Sequence, residues 1–184
     1  MKSAPTLLLQ LSLLLFPAIA FAQSKIEATQ IKGDFNGDGK IETATLVKPK
    51  INADGLSCNG PCVIKIVFSG NNVQPITQVN SIGAVMLTNL GDLNNDGKDE
   101  IGYLPDWFTS CWRMYHVFTY NQNTWKELVT GFPTYCTQVE QKEPKFVEKV
   151  PGKPAYLRIY YSDMNLEKGD FPVKSKLVKM ATFR

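Results

Sequence analysis

The chain is poor in histidine, which removes several kinds of functional site from consideration. His116 is the one histidine among 184 residues. A zinc site needs several His or Cys ligands at suitable spacing, so zinc is not expected. The sequence also contains no Gly-x-Ser-x-Gly elbow and no Cys–His pair for nucleophilic catalysis. We therefore predict that the protein is not an enzyme. His116 stands in step with apolar strand residues, and we expect it to be a half-buried histidine of a sheet.

Beyond its first residues the chain has no apolar run long enough to span a bilayer, for which about 20 residues are needed. At the start, Lys2 precedes a leucine-rich run, and the small residues of Ala20-Phe21-Ala22 follow it. This order is typical of a secretory signal that is cleaved after Ala22. The sequence thus predicts a signal peptide at 1–22 and one β-rich domain at 23–184. That domain is expected in the periplasm or outside the cell, without a transmembrane segment.

Cysteine is sparse but even in number, with Cys58, Cys62, Cys111 and Cys136 in the chain. In an exported protein an even number favours disulfides, and four cysteines allow three connectivities. We prefer the pair Cys58–Cys62, which closes a turn-rich Asn-Gly-Pro tripeptide, and the pair Cys111–Cys136, which would tie two neighbouring strands.

The chain also lacks a strong net charge and any run of basic residues. Its formal net charge is +3 and its basic residues are dispersed, so a nucleic-acid partner is not expected. The acidic residues are distributed differently, because seven of the 17 fall in two short stretches: Asp34, Asp38, Glu42, Asp92, Asp96, Asp99 and Glu100.

No convincing amphipathic helix follows the signal, and strand signals dominate. Short β-branched and aromatic runs are separated by Asn, Gly, Pro and Asp clusters, which predicts an all-β fold. The runs that predict strands are 41–47, 63–68, 101–105, 114–120, 155–161 and 173–178, with a hairpin tip at 120–125. A helical turn is expected only at 75–79 or 133–138.

The two acidic stretches read GDFNGDGKIE from Gly33 and GDLNNDGKDE from Gly91, at a spacing of 58 residues. Counted from the first Asp, oxygen-bearing side chains occupy positions one, three, five and nine, and a Gly occupies position six. Alternate residues of a tight turn can direct their oxygens to one centre, and the Gly lets the carbonyl of position seven face inward while its lysine side chain points to solvent. Calcium accepts such irregular oxygen sets. We predict two Ca²⁺ sites, with ligands Asp34, Asn36, Asp38, Lys40 and Glu42 in the loop 34–42 and Asp92, Asn94, Asp96, Lys98 and Glu100 in the loop 92–100.

These loops begin like EF-hand loops but do not continue as such. Position twelve holds Thr45 and Tyr103 instead of a bidentate Glu, and strand-like residues follow both loops. Turns of Asp, Asn and Gly also occur for conformational reasons, without metal. Against that reading, carboxylates crowded into nine residues repel one another unless a cation neutralises them, and the pattern occurs twice.

The residues from Gly91 to Pro105, GDLNNDGKDEIGYLP, resemble an FG-GAP repeat, as found in integrin α-subunit propellers and bacterial VCBS-type secreted proteins. The stretch from Gly33 is similar. The resemblance implies Ca²⁺ held by the matching loop positions and a β-sheet blade around each loop. The chain departs from the family pattern in having Glu at position nine, where the family more often has Asp, and in lacking the Phe of the Phe-Gly element at 81–85. Two units are too few for a closed propeller, so we expect a compact antiparallel sheet domain built from two blade-like units.

Two of the three tryptophans, Trp107 and Trp112, follow the second acidic loop and stand on either side of Cys111. They either pack in a core around a disulfide or form an aromatic platform for a glycan or a partner protein. The favoured function is an exported calcium-binding domain that binds a protein or glycan at the cell envelope. The alternatives are a secreted hydrolase with structural calcium and a purely structural envelope protein. An open aromatic cleft would favour binding, converging acids would favour the hydrolase, and buried tryptophans would favour the structural protein.

Overall fold

The computed structural model describes residues 29–70 and 72–183, so the predicted signal peptide at 1–22 lies outside the described residues. The first sheet is an antiparallel meander in the order β1-β2-β3-β4. Its strands are β1 (Gln30–Gly33), β2 (Glu42–Val47), β3 (Val63–Phe68) and β4 (Ile76–Val79). The helical turn predicted at 75–79 is wrong, because the β-branched residues there pair with β3 and Ile76 enters the core.

The second sheet repeats this topology in the order β5-β6-β7-β8. Its strands are β5 (Gly83–Asn89), β6 (Ile101–Asp106), β7 (Arg113–Asn121) and β8 (Thr124–Thr134). The predicted hairpin tip is confirmed between β7 and β8. There Gln122 and Asn123 have φ angles of 50° and 59°, which suits a tight two-residue turn between twisted strands.

A third sheet has no counterpart in the prediction of two units. It consists of β9 (Val147–Lys149), β10 (Tyr156–Ser162) and β11 (Val173–Lys179), in the order β11-β10-β9. A single-turn helix, α1 (Cys136–Val139), connects the second sheet to the third and overlaps the turn expected at 133–138. The strands predicted at 155–161 and 173–178 are confirmed as β10 and β11.

The second sheet is the middle layer of the domain, and both of its faces are buried. Four consecutive residues of β6, from Ile101 to Leu104, are therefore buried, although successive side chains of a strand point to opposite faces. One core lies between the first and second sheets and includes Phe35, Ile64, Ile66, Leu87, Ile101 and Tyr103. The other lies between the second sheet and the third sheet with α1, and includes Leu104, Tyr115, Val117, Phe132, Leu157 and Ile159.

The predicted all-β fold is confirmed. The described residues form three antiparallel sheets, and these sheets close into neither a barrel nor a propeller. Each of the first two sheets is a four-stranded meander in which an acidic loop joins the first strand to the second. Within the described residues, no helix has the length and apolar character needed to cross a membrane.

The preferred disulfide pattern is also confirmed. Cys58 pairs with Cys62 and Cys111 with Cys136, with Cα–Cα distances of 5.4 Å and 4.9 Å. The second bridge joins the connection before β7 to the first residue of α1, so it ties a loop to a helix rather than two neighbouring strands. Disulfides persist in oxidising compartments.

Candidate metal centre and aromatic cleft

The first acidic loop is organised by the carboxylate of Asp34, which follows β1. Its Oδ1 accepts hydrogen bonds from the backbone N–H groups of Gly37 at 2.8 Å and Asp38 at 3.1 Å, and its Oδ2 accepts one from Gly39 at 2.9 Å. Gly37 and Gly39 have φ angles of 77° and 81°, a region that glycine enters without steric cost. The loop is thus wound around the first predicted ligand.

The other predicted ligands of this loop are held in the same way. Asn36 Oδ1 accepts a hydrogen bond from the N–H of Asp38 at 2.8 Å, and Asp38 Oδ1 accepts one from Lys40 at 2.9 Å. Glu42, the first residue of β2, is 4% exposed, and its Oε2 accepts the N–H of Phe35 at 2.9 Å. Each carboxylate uses one or both oxygens to order the backbone, which fixes where its remaining lone pairs lie.

The second acidic loop repeats this network at the same sequence offsets. Asp92 accepts the N–H groups of Asp96 at 3.1 Å and Gly97 at 3.0 Å. Asn94 Oδ1 accepts Asp96 N–H at 2.9 Å, and Asp96 Oδ1 accepts Lys98 N–H at 3.1 Å. The positive φ angles recur as well, at Asn95 with 62° and Gly97 with 82°.

The acid at position nine closes the second loop, as it does the first. Oε2 of Glu100 accepts the N–H of Leu93 at 2.5 Å. Glu100 has no exposed surface, and its Oε1 has no hydrogen-bond partner among the described residues. Burial raises the pKa of Glu100 to about 7, the N–H of Leu93 and the side chain of Thr119 lower it, and the charges of Asp96 and Asp92 raise it further. A buried carboxylate oxygen without a partner is costly unless a proton or a cation satisfies it.

The first loop brings three carboxylates together. One oxygen each of Asp34, Asp38 and Glu42 lies within 4.8 Å of the others. The pKa of Glu42 lies above its ordinary value. Burial raises it most, the N–H of Phe35 lowers it, and the charges of Asp38 and Asp34 raise it. Three carboxylate oxygens at this separation fit a hard cation such as calcium, which takes oxygen ligands at about 2.3–2.6 Å.

The two lysines at position seven behave differently from each other. The side chain of Lys40 is 83% exposed, as predicted, with Nζ 4.0 Å from Asp38 Oδ2. The prediction that Lys98 also points to solvent is wrong. Its side chain is 23% exposed, and Nζ binds Asp96 Oδ2 at 3.0 Å. Lys98 lies against Gly37 of the first loop, where an added Cβ would come within 2.9 Å of Lys98 Cγ. The carbonyl ligands predicted at Lys40 and Lys98 stay predictions.

The close approach of the two loops gives a role to Asp99, which the spacing of the predicted ligands does not include. Asp99 falls at position eight of the second loop, outside the pattern of ligands, yet its carboxylate contacts the first loop at Asp34. No spacing rule within one loop could have identified it, because its partner lies 65 residues earlier in the chain.

The predicted pair Trp107 and Trp112 lines a cleft of about 420 Å³. Trp107 follows directly after β6, and Trp112 directly precedes β7, so the connection between these strands forms one wall. Both tryptophans are half-buried rather than enclosed. The opposite wall is the end of β4 with Gln78 and Asn80.

The charged residues beside this cleft are paired. Arg113 Nη2 binds Asp106 Oδ1 at 2.8 Å, and His116 Nδ1 binds Glu127 Oε1 at 2.6 Å. His116 is thus a half-buried histidine of the sheet, as predicted. The carboxylates of Asp106 and Glu127 are each paired with a basic side chain. They do not form the pair of converging acids that a glycoside hydrolase needs.

Comparison of this chain with protein-family models, with curated proteins and with solved structures finds no match. The resemblance to FG-GAP repeats therefore stays a prediction that rests on the two loops.

Proposed function

We propose that this protein is an exported β-domain that holds a calcium ion in each acidic loop and acts as a binding module at the cell envelope. The observation that carries the calcium part is the recurrence of one hydrogen-bond network. In both loops positions one, three and five accept backbone N–H groups at the same offsets, and the acid at position nine accepts the N–H of position two. Asp and Asn side chains also order turns without metal, but such a turn does not require the buried Glu that closes each of these loops.

The buried Glu100 supports a cation in the second loop. Its Oε1 lacks a hydrogen-bond partner among the described residues, and burial and the charges of Asp96 and Asp92 raise its pKa, while Lys98 Nζ binds Asp96 Oδ2. A calcium ion would be held by the predicted ligands of each loop. It would offset the carboxylate repulsion and so stabilise the folded state. Extracellular calcium modules work with Kd values of about 10⁻⁴–10⁻³ M, which suits an exported protein.

Export is supported by two features. The first 22 residues have the order of charged, apolar and small residues that is typical of a cleaved signal. The two disulfides fit an oxidising compartment, since cytosolic thiols are kept reduced.

The binding role is favoured over a purely structural one by the environment of Trp107 and Trp112. Both line an open cleft instead of filling a core. The hydrolase alternative gains no support from Asp106 and Glu127, because each is paired with a base.

The calcium proposal is tested by thermal unfolding of the oxidised domain 23–184 in excess EDTA and then in millimolar Ca²⁺. At a tenfold excess over a Kd of about 10⁻⁴ M, one site stabilises the folded state by about 1.4 kcal/mol, which for a domain of this size raises Tm by roughly 3–6 °C. Asp38→Ala should remove the contribution of the first loop and Asp96→Ala that of the second.

The matched control is Asp54→Ala. Asp54 forms the same kind of turn, with Oδ1 accepting the N–H of Leu56 at 2.9 Å, but lies outside the acidic loops. This variant should lose some stability in both buffers and keep the full calcium response. If the unaltered domain shows no Tm difference between EDTA and Ca²⁺, the calcium proposal is wrong.

A further inference from the structure

The three tryptophans occupy two different environments. Trp125 is stacked on Phe68, with ring centroids 5.1 Å apart, and its indole N–H donates to the carbonyl of Gln74 at 2.7 Å. The indole N–H groups of Trp107 and Trp112, by contrast, have no hydrogen-bond partner among the described residues. An indole N–H can only donate. Neither nitrogen is among the buried side-chain atoms without a partner, so both are accessible and would be covered by a ligand that fills the cleft. A ligand of this cleft should therefore supply acceptor oxygens.

Trp112 is held in position from behind. Its ring meets Tyr135 edge-on at 5.0 Å and Phe171 at 5.4 Å between centroids. Ser110 Oγ accepts the backbone N–H of Trp112 at 3.1 Å, and the neighbouring Cys111 is bridged to α1. An aromatic wall that is fixed before binding loses little conformational entropy when a ligand arrives.

The cleft carries little net charge. No carboxylate of the described residues lines it, and its two basic residues, Arg113 and His116, are engaged by Asp106 and Glu127 outside the lining. A phosphate or a free carboxylate would thus meet cations that already have partners. An uncharged ligand fits the low net charge of this cleft better than an anion does.

The wall opposite the tryptophans offers neutral hydrogen-bonding groups. The side-chain amides of Gln78 and Asn80 make no hydrogen bond with the described residues. An amide both donates and accepts, which matches a hydroxyl group, since a hydroxyl also does both. A volume of about 420 Å³ lies within the range of small-molecule sites, about 300–1,000 Å³.

We propose that this cleft binds a carbohydrate, with the C–H face of a pyranose ring against the indole of Trp107 or Trp112. The ring hydroxyl groups then accept the free indole N–H and exchange hydrogen bonds with the amides of Gln78 and Asn80. The proposal deepens the proposed binding function by naming the ligand class, and it does not depend on calcium in the acidic loops.

The test follows the three indole N–H signals in a proton–nitrogen correlation spectrum during titration with methyl glycosides of glucose, galactose, mannose and N-acetylglucosamine. At least one glycoside should shift the signals of Trp107 and Trp112 with a saturating curve. The signal of Trp125 is an internal reference and should stay in place, because its N–H is donated to the carbonyl of Gln74 and Trp125 does not line this cleft.

Two variants localise the binding, and a third is the control. Trp107→Ala should weaken the binding of the responsive glycoside at least tenfold, as expected for an aromatic hot spot. Trp112→Phe keeps a ring against Tyr135 and Phe171 but removes the N–H, and should also weaken binding several-fold. Thr109→Ala alters an exposed residue of the same connection that does not line this cleft, and should leave the affinity unchanged.

The proposal is overturned if none of the four glycosides moves the two signals at millimolar concentration, or if a peptide library yields a ligand for this cleft while the glycosides fail. The thermal melts in EDTA and Ca²⁺ are an independent readout. A domain that responds to calcium but not to glycosides would disprove the carbohydrate site alone, and the opposite result would disprove the calcium sites alone.

Discussion

Asp99 of the second acidic loop and Asp34 of the first are joined by two hydrogen bonds. The backbone N–H of Asp34 donates to Asp99 Oδ2 at 3.1 Å, and the backbone N–H of Asp99 donates to the carbonyl of Asp34 at 2.8 Å. Asn89 Nδ2 completes the junction by donating to the same Oδ2 at 2.7 Å and to the carbonyl of Lys32 at 2.9 Å. The two loops therefore form one structural unit, and a residue of one loop positions the first ligand of the other.

Replacing Asp99 should weaken the first loop although Asp99 lies in the second. In an Asp96→Ala background only the first loop is expected to bind calcium. Adding Asp99→Ala there should raise the apparent Kd for Ca²⁺ about tenfold, which is the scale of one charge-assisted hydrogen bond. Calorimetric titration measures this change.

Asp99→Asn is the matched control for this prediction, because it retains an oxygen that can accept the N–H of Asp34. It should recover most of the affinity. Equal Kd values for Asp99→Ala and its parent would show that the junction does not position the first loop.

Glu100 should make the stability of the metal-free domain fall as pH rises. Its pKa is raised to about 7 in the folded state, mainly by burial, from an ordinary value of 4.5. Between these two pH values the folded state binds more protons than the unfolded state, so the free energy of unfolding decreases with pH. The full effect is about 3 kcal/mol, complete below the unfolded pKa and lost above the folded one.

Urea unfolding in EDTA across this pH range measures the effect, and Glu100→Gln is the control. The side-chain amide of this variant does not titrate, so the variant should lose most of this slope. A slope of the same size in both proteins would mean that Glu100 is not the group responsible.

Gly102 should not tolerate a side chain. A Cβ at this position of β6 would lie 2.1 Å from Tyr115 Oη and 2.7 Å from Thr88 Oγ1, both packed against the strand. Gly102→Ala should therefore cost about 3 kcal/mol of unfolding free energy through overpacking. In Gly83→Ala the new Cβ would meet the flexible end of Lys48 at 3.3 Å, so this variant should change stability far less. Chemical denaturation compares them, and similar losses in both would contradict the steric argument.

The two disulfides should differ in their contribution to stability. Cys111–Cys136 spans 25 residues and Cys58–Cys62 spans 4, and the chain entropy removed from the unfolded state grows with the span. Loop-closure estimates are about 3.5 kcal/mol for the longer bridge and about 2 kcal/mol for the shorter. Paired Cys→Ser variants, unfolded in urea, test the order. A larger loss from the Cys58–Cys62 pair would contradict it.

The features that depend on short distances along the chain could be predicted from the sequence. Asp34 and Asp92 order their loops through backbone groups only three to five residues away, so the spacing of Asp, Asn and Gly was enough to predict these turns. Runs of β-branched and aromatic residues likewise predicted β3 and β10, because such side chains suit the pleated and half-buried surface of a strand.

Which of these segments contact one another depends on the packing of the folded domain. The spacing within one loop could not show that Asp99 reaches Asp34, that Lys98 lies on Gly37, or that a third sheet covers the second. Such contacts depend on how entire sheets pack, and many partners could bury the same apolar faces equally well. The cleft at Trp107 and Trp112 has the same origin, since its opposite wall is supplied by β4 of another sheet.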